Sequence, residues 1–293
     1  MTLARELPAV TPGDTLADRF EVIQFLGTGV IGQVYLAADR TTNSRVALKF
    51  PRYRFRELPG LAATGSAHPL APFLRRESHL TAHLRHPGIV EYIDSGELAG
   101  IPWLATAYLP LGLADSRQVP MDIAGTMEVL RPVTDALTYL HSRGFVHRDL
   151  TPKNVRINDD GLPVLIDFGL AQRIGDRSWP TVDRILGTPL FSPPECHRHD
   201  GLTISLAPNA DVFSIARLFE WMLVGAHIRP HPDTPISTIP DPLRAIVQQA
   251  TSSNPLTRPD TPAKFLRSCE LALGELGEDA FLGHQIIERS LFS

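Results

Sequence analysis

The sequence predicts an α+β fold in two lobes, a small antiparallel β-sheet with one helix followed by a larger, mainly helical part. The sheet is indicated by residues 20–110, where short β-branched and apolar runs alternate with glycine-rich or polar turns. The helical part is indicated after Gly112, where apolar residues recur at helical spacing. The chain has 293 residues, 43% of them hydrophobic, which is enough to bury one large core or two lobes that share a cleft.

The sheet lobe is predicted over residues 19–110. The segments "FEVIQFLGTG", "GQVYLAAD" and "SRVALKF" predict three antiparallel strands, and "GIVEYIDSGE" and "IPWLATAYL" predict two more. Between these groups, "FLRRESHLTAHLRH" has helical spacing and ends before Pro87. Residues 1–18 contain Pro8 and Pro12 and show no clear periodicity, so we expect a leader or linker there.

The helical lobe is predicted over residues 111–275, with a tail over 276–293. "GTMEVLRPVTDALTYLHSRG" predicts a helix that ends at Gly144, with Pro132 either near its start or distorting it. "NVRINDDGLPVLIDFG" predicts a hairpin that turns at "NDDG". "ADVFSIARLFEWMLVG" is apolar nearly all round, as in a buried helix, and "DPLRAIVQQA" and "PAKFLRSCELALGEL" predict two amphipathic helices.

Composition excludes several classes of function. The net charge of -4 does not indicate a nucleic acid or an anionic membrane as partner. Cys196 and Cys269 are too few for a disulfide framework and lack metal-site spacing. No apolar run reaches the roughly 18 residues of a membrane helix, and the amino terminus lacks the apolar core of a signal peptide. We therefore expect a cytoplasmic protein without a membrane segment, and its oligomeric state stays open.

The glycines of "LGTGVIGQVY" lie between two predicted strands. A dinucleotide site would need a helix after Gly27, Gly29 and Gly32, so that its N-terminus meets the pyrophosphate. A strand–turn–strand flap instead covers phosphates with backbone N–H groups. The flanking strands favour the flap. The alternative is an ordinary β-hairpin whose glycines have no role in phosphate binding.

Lys49 ends the third predicted strand, in "VALK", two residues after the small Ala47. A strand lysine that points into a cleft needs an anionic ligand or an acidic partner, because burying an unpaired charge is costly. Glu77 on the following helix is the favoured partner, and Glu57 in the loop after the strand is the alternative. A solvated lysine on an edge strand is a further interpretation.

The stretch "FVHRDLTPKNVRI" concentrates polar side chains in an apolar frame. Asp149 can accept a hydroxyl proton, and the amide oxygen of Asn154 suits a hard cation. Asp167 of "IDFG" can supply a second cation ligand. His147 is more typical of a packed structural histidine than of an acid or base, and Arg148 is suited to binding an anion.

Together these segments resemble the eukaryotic-type (Hanks-type) protein kinases, and in particular the bacterial serine/threonine kinases. Any one segment could occur by chance, but eight in the order of the family hardly could. The matching segments run from about Phe20 to Arg258 and are "GTGVIGQV", "VALK", Glu77, "HRDLTPKN", "DFG", "GTPLFSPPE", the aspartate of "DVFS" and "LTRP".

The resemblance implies a bilobal protein-kinase-like fold that holds ATP with magnesium, or manganese, between its lobes and phosphorylates serine and threonine hydroxyls of protein substrates. By analogy, Asp149 orients the hydroxyl, Lys49 contacts the α- and β-phosphates, and Asn154 and Asp167 hold the metal. The implied ATP contacts are Leu26, Gly27, Thr28, Gly29, Gly32, Val34, Ala47, Lys49, the gatekeeper Thr106, the Ala107 carbonyl, the Leu109 amide and Arg156. The implied structural or regulatory residues are Glu77, His147, Arg148, Phe168, Gly169, Thr181, Thr188, Glu195 paired with Arg258, and Asp211 as anchor of the catalytic loop.

Three departures from the family pattern bear on activity. The lysine that usually lies two places after the catalytic aspartate is Thr151 here, and Lys153 is the proposed substitute, with a solvated loop lysine as the alternative. Arg156 occupies the position that supports the adenine from below, where its stem can pack and its guanidinium can stack. Residues 225–242 show little helical periodicity where the family has a substrate-docking helix.

These departures keep other functions open. A pseudokinase that acts as a nucleotide-binding or scaffold module would keep the fold without catalysis. A small-molecule phosphotransferase is a third interpretation. The segment "GTPLFSPPE" argues against it, because a protein substrate would need that segment. Regulation is predicted through Arg148, which in the family often binds a phosphorylated activation loop; Thr181 is the favoured acceptor there, and Ser178 is the alternative.

Overall fold

The first lobe is built on a single antiparallel sheet. The computed structural model describes residues 10–29, 31–52, 68, 70–115, 119–176, 190–197, 207–225 and 239–275. The sheet has strand order β1-β2-β3-β4-β6-β5, and every neighbouring pair is antiparallel. Its strands are β1 (Thr15–Leu16), β2 (Phe20–Thr28), β3 (Gly32–Asp39), β4 (Ser44–Pro51), β5 (Tyr92–Leu98) and β6 (Ile101–Ala107). The five strands expected from the sequence are thus confirmed, and one short strand is added at the edge.

Alternation along β4 separates the two faces of this sheet. Val46, Leu48 and Phe50 are buried in one apolar cluster with Tyr35 and Trp103 from the neighbouring strands. Ala47 and Lys49 point to the opposite face because successive strand side chains alternate. The sheet therefore has one face that forms a core and another that faces the second lobe.

The amino-terminal boundary of the sheet lobe differs from the expectation. Residues 1–18 were expected to be a leader, but Thr15 and Leu16 pair with β2, and the N–H of Gly13 donates to the carbonyl of Val22 at 2.9 Å. Leu16 is 4% exposed and belongs to the apolar cluster of the sheet. A two-residue strand is too short to show periodicity, so the sequence pattern missed it.

Helix α1 (Ala71–His83) covers the cleft-facing side of the sheet. Its buried side chains include Phe73, Leu74 and Leu80, which follow the helical spacing read from the sequence. Glu77 lies on the same buried face, one turn before Leu80 and one turn after Phe73. The apolar packing of this helix therefore carries a carboxylate towards the cleft.

The second lobe is mainly helical, as predicted. Its helices are α2 (Ile123–Ser142), α3 (Asn209–Val224), α4 (Asp241–Ala250) and α5 (Pro262–Glu275). The short strands are β7 (Leu111–Gly112), β8 (Phe145–Val146), β9 (Val155–Ile157), β10 (Pro163–Leu165) and β11 (Gln172–Arg173). Within the described ranges, no helix is both long and apolar enough to span a bilayer.

Helix α2 shows how local signals set the boundaries of an element. Its N-cap Asp122 accepts a hydrogen bond from the N–H of Gly125 at 2.7 Å. Gly144, with φ +83°, follows its last turn and ends it as expected. Pro132 lies in the helix interior, so of the two alternatives expected from the sequence, the one that places it near the start is wrong. Buried neighbours on both sides, including Leu130 and Val133, keep the helix continuous.

The predicted hairpin is confirmed as β9–β10, turning at the expected residues. The side chain of Asn158 accepts hydrogen bonds from the N–H groups of Asp160 (3.0 Å) and Leu162 (2.8 Å). Gly161 takes the positive φ of 80° that the turn requires. The hairpin places Asn154 just before one strand and Asp167 just after the other.

Candidate active site in the cleft between the lobes

Lys49 is the point where the two lobes meet. Its Nζ lies 2.8 Å from both carboxylate oxygens of Glu77 on α1 and 2.8 Å from Oδ1 of Asp167 in the second lobe. The partner that the sequence favoured is thus in contact with the lysine, whereas Glu57 lies outside the described residues. One ammonium joins the sheet, the helix and the hairpin of the other lobe.

Burial and charge act in opposite directions on this cluster. Burial alone would lower the pKa of Lys49, but the carboxylates of Asp167 and Glu77 outweigh it and hold that pKa above its ordinary value. Burial, together with the negative charge of Asp167, raises the pKa of Glu77 to about 7 despite the nearby lysine. The pKa of Asp167 is lowered, because Lys49 and the Gly169 N–H offset the effect of burial. The lysine is therefore a firmly charged group at the centre of the cleft.

The glycine-rich segment folds over this cluster as a strand–turn–strand flap. The N–H of Gly29 donates to the carbonyl of Gly32 at 2.7 Å, which closes the turn. Gly27 pairs with Val34 and Thr28 with Gln33 across β2 and β3. The flap interpretation of the sequence agrees with this geometry, since a strand follows the glycines.

The glycines of the flap differ in how much space a Cβ atom would have at each position. A Cβ on Gly32 would lie 2.6 Å from the carbonyl oxygen of Phe50 and 2.9 Å from Cε of Lys49. A Cβ on Gly27 would meet nothing within 4 Å. Gly32 is therefore required so that β3 can lie against the lysine, a packing role that is independent of any phosphate.

The loop after β8 positions Asp149 through backbone hydrogen bonds to a buried carboxylate. Asp211 on α3 accepts from the N–H groups of His147 (2.8 Å) and Arg148 (2.9 Å). His141 adds a contact of 2.7 Å from its Nε2 to the same carboxylate. Arg148 holds a positive φ of 69°, a strained turn that this double anchor stabilises.

The resulting turn brings Asn154 back to Asp149. The Asn154 Nδ2 donates to the carboxylate of Asp149 at 2.9 Å and to its backbone carbonyl at 2.8 Å. His147 is fully buried and its ring packs on Phe168 at 5.2 Å between centroids. Burial lowers the pKa of His147, which agrees with a packed, neutral histidine.

The side-chain oxygen atoms near Asp149 are suitable ligands for a hard divalent cation. With its nitrogen bonded to Asp149, Asn154 keeps its amide oxygen as the atom that a cation can use. Asp167 uses Oδ1 for Lys49 and for the N–H of Gly169, while its Oδ2 lies 3.9 Å from the position a Gly29 Cβ would take. An amide oxygen and a carboxylate oxygen below the flap are ligands that magnesium prefers.

The remaining predicted nucleotide contacts lie on the cleft-facing side of the sheet. Lys49 pairs with Val34 across the strands, and Ala47 pairs with Thr106, so these four side chains share one face. All but the lysine are half-buried. After Thr106, the N–H of Ala107 donates to the carbonyl of Glu91 at 2.9 Å. Leu26 on β2 is 39% exposed and Leu109 is half-buried, as expected of an open cleft.

Comparison with known proteins identifies the family. The model of the family described as protein kinase domain matches residues 20–269, most of the chain. The chain belongs to the protein kinase family. The bilobal α+β fold is confirmed by the Mycobacterium tuberculosis PknI kinase domain, which matches with a TM-score of 0.66 and 26% identity, over 90% of this chain and 100% of that one.

Two curated relatives of this kinase chain are bacterial kinases. It is 35% identical over 200 residues to the DNA damage-responsive serine/threonine-protein kinase RqkA of Deinococcus radiodurans, covering 66% of this chain and 28% of the relative. It is 29% identical over 282 residues to serine/threonine-protein kinase PknB of Mycobacterium tuberculosis, covering 87% and 43%. The chain thus spans less than half the length of these two relatives.

Two departures from the kinase pattern occupy distinct environments. Thr151 is buried, and its carbonyl accepts from the N–H of Asn154 at 3.0 Å, so it supports the backbone of the turn. Lys153 lies on the same single turn but is exposed. Lys153 directly precedes Asn154. Because it is exposed, its side chain is not held in place by packing, in contrast to that of Thr151.

Arg156 extends from β9 along the floor of the cleft. Val155 is fully buried in the core of the second lobe, so Arg156 points to the opposite side. Its Nη1 lies 3.4 Å from the carbonyl of Pro110 and 3.4 Å from Oδ2 of Asp115. The guanidinium is thus directed to the polypeptide that joins the lobes, above Gly112, whose missing Cβ leaves room for it.

The segment that follows the activation loop is held by a buried ion pair. Glu195 receives hydrogen bonds from both terminal nitrogens of Arg258, at 2.6 and 2.7 Å. The guanidinium also donates to the carbonyl of Ser252 at 2.8 Å and lies over the ring of Phe213. Thr181 and Thr188 lie outside the described residues.

A second charged pair in this region was not singled out from the sequence. Arg217 and Glu220 form an ion pair inside α3, the helix that the sequence marks as apolar nearly all round. The signal was present, because these two charged residues lie three positions apart in the middle of a mainly apolar helix. The sequence alone could not show which group outside α3 is in contact with Arg217.

Proposed function

We propose that this chain transfers the γ-phosphate of ATP to serine and threonine hydroxyls of proteins, with magnesium, or manganese, as the metal. The observation that carries the proposal is the contact of Lys49 with both Glu77 and Asp167 at 2.8 Å. An ammonium held in this way can bind the anionic phosphates of a nucleotide, because its charge is kept and its position is set before the ligand arrives.

In the proposed reaction, Asp149 accepts the proton of the substrate hydroxyl. The hydroxyl oxygen forms a bond to the γ-phosphorus while the bond from that phosphorus to the leaving ADP oxygen breaks. Asn154 and Asp167 would hold the metal, which supplies positive charge to the phosphate oxygens when bound. Asn154 also fixes the carboxylate of Asp149 through its 2.9 Å hydrogen bond.

Lys153 is proposed to contact the γ-phosphate in place of the lysine that Thr151 replaces. Its exposure beside Asn154 supports this role. Arg156 is proposed to support the adenine, with its guanidinium kept at the edge of the pocket by Asp115. Autophosphorylation at Thr181 is part of the proposal, and mass-spectrometric mapping of active protein should find it modified.

The direct test compares the purified chain with Asp149→Asn in the presence of Mg-ATP and a generic protein substrate. Transfer should fall roughly 10²- to 10⁴-fold in the variant, while nucleotide affinity stays within about twofold. The matched control is Asp159→Asn, the same chemical change at an exposed turn residue, which should leave transfer unchanged. Phosphoserine or phosphothreonine should be found in the substrate.

Two outcomes would contradict the proposal. Equal transfer by Asp149→Asn and the unchanged chain would show that another group orients the hydroxyl. Nucleotide binding without transfer by the unchanged chain would instead support the pseudokinase interpretation. A contact set that includes Lys49, Glu77, Asp167, Asp149 and Asn154 favours catalysis over that alternative.

A further inference from the structure

Helix α3 carries an ion pair in its buried middle. The side chains of Arg217 and Glu220 are 3% and 7% exposed, and the Nη1 of the arginine donates to the carboxylate of the glutamate. Most of their neighbours along the helix, including Leu218 and Phe219, are fully buried apolar residues. A buried ion pair of this kind gives little net stability, because the cost of desolvating two charges offsets their attraction. Its presence therefore calls for a reason other than helix stability.

Arg217 also reaches outside the helix. Its Nε donates to the backbone carbonyl of Leu190 at 2.9 Å. The planar guanidinium can bind the carboxylate of Glu220 with one nitrogen and the carbonyl with another, which an ammonium cannot do with the same geometry. The glutamate thus fixes the orientation of the arginine, and the arginine fixes the position of the carbonyl.

Leu190 begins a segment that is held at both ends. We name residues 190–195 the docking segment, since they belong to the "GTPLFSPPE" stretch that a protein substrate would contact. Phe191 and Ser192 are buried, and Glu195 at the far end is bound by Arg258. Only the Arg258 end of this arrangement was expected from the resemblance. The Leu190 end depends on Arg217.

We propose that Arg217, oriented by Glu220, is a positioning residue for protein substrates. It keeps the backbone of Leu190 in place, so that the docking segment is already formed when the polypeptide that flanks the acceptor hydroxyl binds. The proposal rests on the proposed protein kinase function. Preorganisation lowers the entropic cost of binding a flexible polypeptide, so the effect belongs to the protein substrate and not to ATP.

The test replaces the ion pair by apolar residues of similar size, Arg217→Met with Glu220→Leu. This variant removes both charges of the Arg217–Glu220 pair together, so its melting temperature should stay close to that of the unchanged chain. Its kcat/KM for a protein substrate should fall about tenfold, since the hydrogen bond from the charged Arg217 to the carbonyl of Leu190 is lost. Its affinity for a fluorescent ATP analogue should stay within about twofold.

A second variant covers the case in which the double substitution fails to fold. Arg217→Lys keeps a positive charge beside Glu220 but cannot reproduce both contacts, and the same selective loss of kcat/KM for the protein substrate is expected. The matched control is Arg75→Met, at an exposed arginine that also binds a carboxylate, that of Glu97, and a backbone carbonyl, that of Gly100. The control should leave kcat/KM unchanged.

Hydrogen–deuterium exchange provides a readout that does not require activity. The backbone amides of the docking segment should exchange faster in the double variant, or in Arg217→Lys if only that variant folds, than in the unchanged chain and in Arg75→Met. Unchanged exchange, or a kcat/KM for the protein substrate equal to that of Arg75→Met, would overturn the proposal. If the unchanged chain transfers no phosphate, the proposed function fails, and the exchange rates alone decide whether Arg217 positions the docking segment.

Discussion

The substitution Gly32→Ala tests whether the flap packs directly on Lys49. The added Cβ would lie 2.6 Å from the backbone oxygen of Phe50, 2.9 Å from Cε of Lys49 and 3.0 Å from its Cγ. Real Cβ atoms essentially never come closer than 3.0 Å to such an atom. Because the nearest contact is a backbone atom inside the sheet, β3 must move away from β4 by about 0.4 Å or more.

The size of the effect follows from the cost of overpacking a well-packed region. An extra methyl group without space typically costs about 1–3 kcal/mol. For a protein of this size, that corresponds to a melting temperature roughly 2–10 °C lower. Displacement of Lys49 from its carboxylate partners should also weaken nucleotide binding. Gly27→Ala is the matched control for stability, since its Cβ meets nothing within 4 Å, and its melting temperature should be unchanged or slightly raised.

Differential scanning calorimetry of the nucleotide-free variants measures the stability effect, and titration with a fluorescent ATP analogue measures the effect on Lys49. If the flap packs on Lys49 as described, Gly32→Ala should melt below Gly27→Ala and bind the analogue more weakly than the unchanged chain does. Equal melting temperatures for the two alanine variants would refute the argument, because they would show that the flap does not pack on Lys49 as described.

Three further predictions concern other parts of the site. Lys153→Ala should lower turnover more than Thr151→Ala in steady-state assays, and the reverse order would exclude Lys153 as the γ-phosphate contact. Glu195→Ala leaves the Arg258 charge buried and should lower the free energy of unfolding in urea by about 3–5 kcal/mol, whereas a loss below about 1 kcal/mol would contradict a buried pair. Because burial raises the pKa of Glu77 to about 7, its protonated form accumulates as the pH falls below that value, and one of the two negative charges that hold Lys49 is lost. Turnover should therefore decline on the acid side of neutrality, and a profile that stays flat down to pH 5 would refute this assignment.

Periodicity in the sequence was sufficient to predict most of the fold. The alternation of Val46, Ala47 and Leu48 indicates a half-buried strand, and the "NDDG" turn indicates the hairpin, because both depend on interactions between near neighbours. The strand at Thr15–Leu16 is too short to carry a pattern, and the interior position of Pro132 depends on the apolar neighbours that bury α2. These are the places where local propensity was overridden by packing.

Motif spacing likewise selected many of the groups that meet in the cleft. Asp149 and Asn154 are five residues apart, so a single turn can bring them together. For Lys49, however, the sequence left two possible carboxylate partners open, in the loop after its strand and on the next helix. Only the packing of α1 on the sheet brings Glu77 to the lysine, at a sequence separation of 28 residues.

By itself, then, the sequence determined the order of the elements, the strand–turn–strand nature of the flap and the polar residues of the loop after β8, because each is set by short-range patterns of side chains. The tertiary structure alone decided the contact of Lys49 with Asp167, 118 residues away, the need for a glycine at position 32 and the bond from Arg217 to the Leu190 carbonyl. These contacts depend on how separate elements pack against one another, and local sequence patterns do not determine that packing.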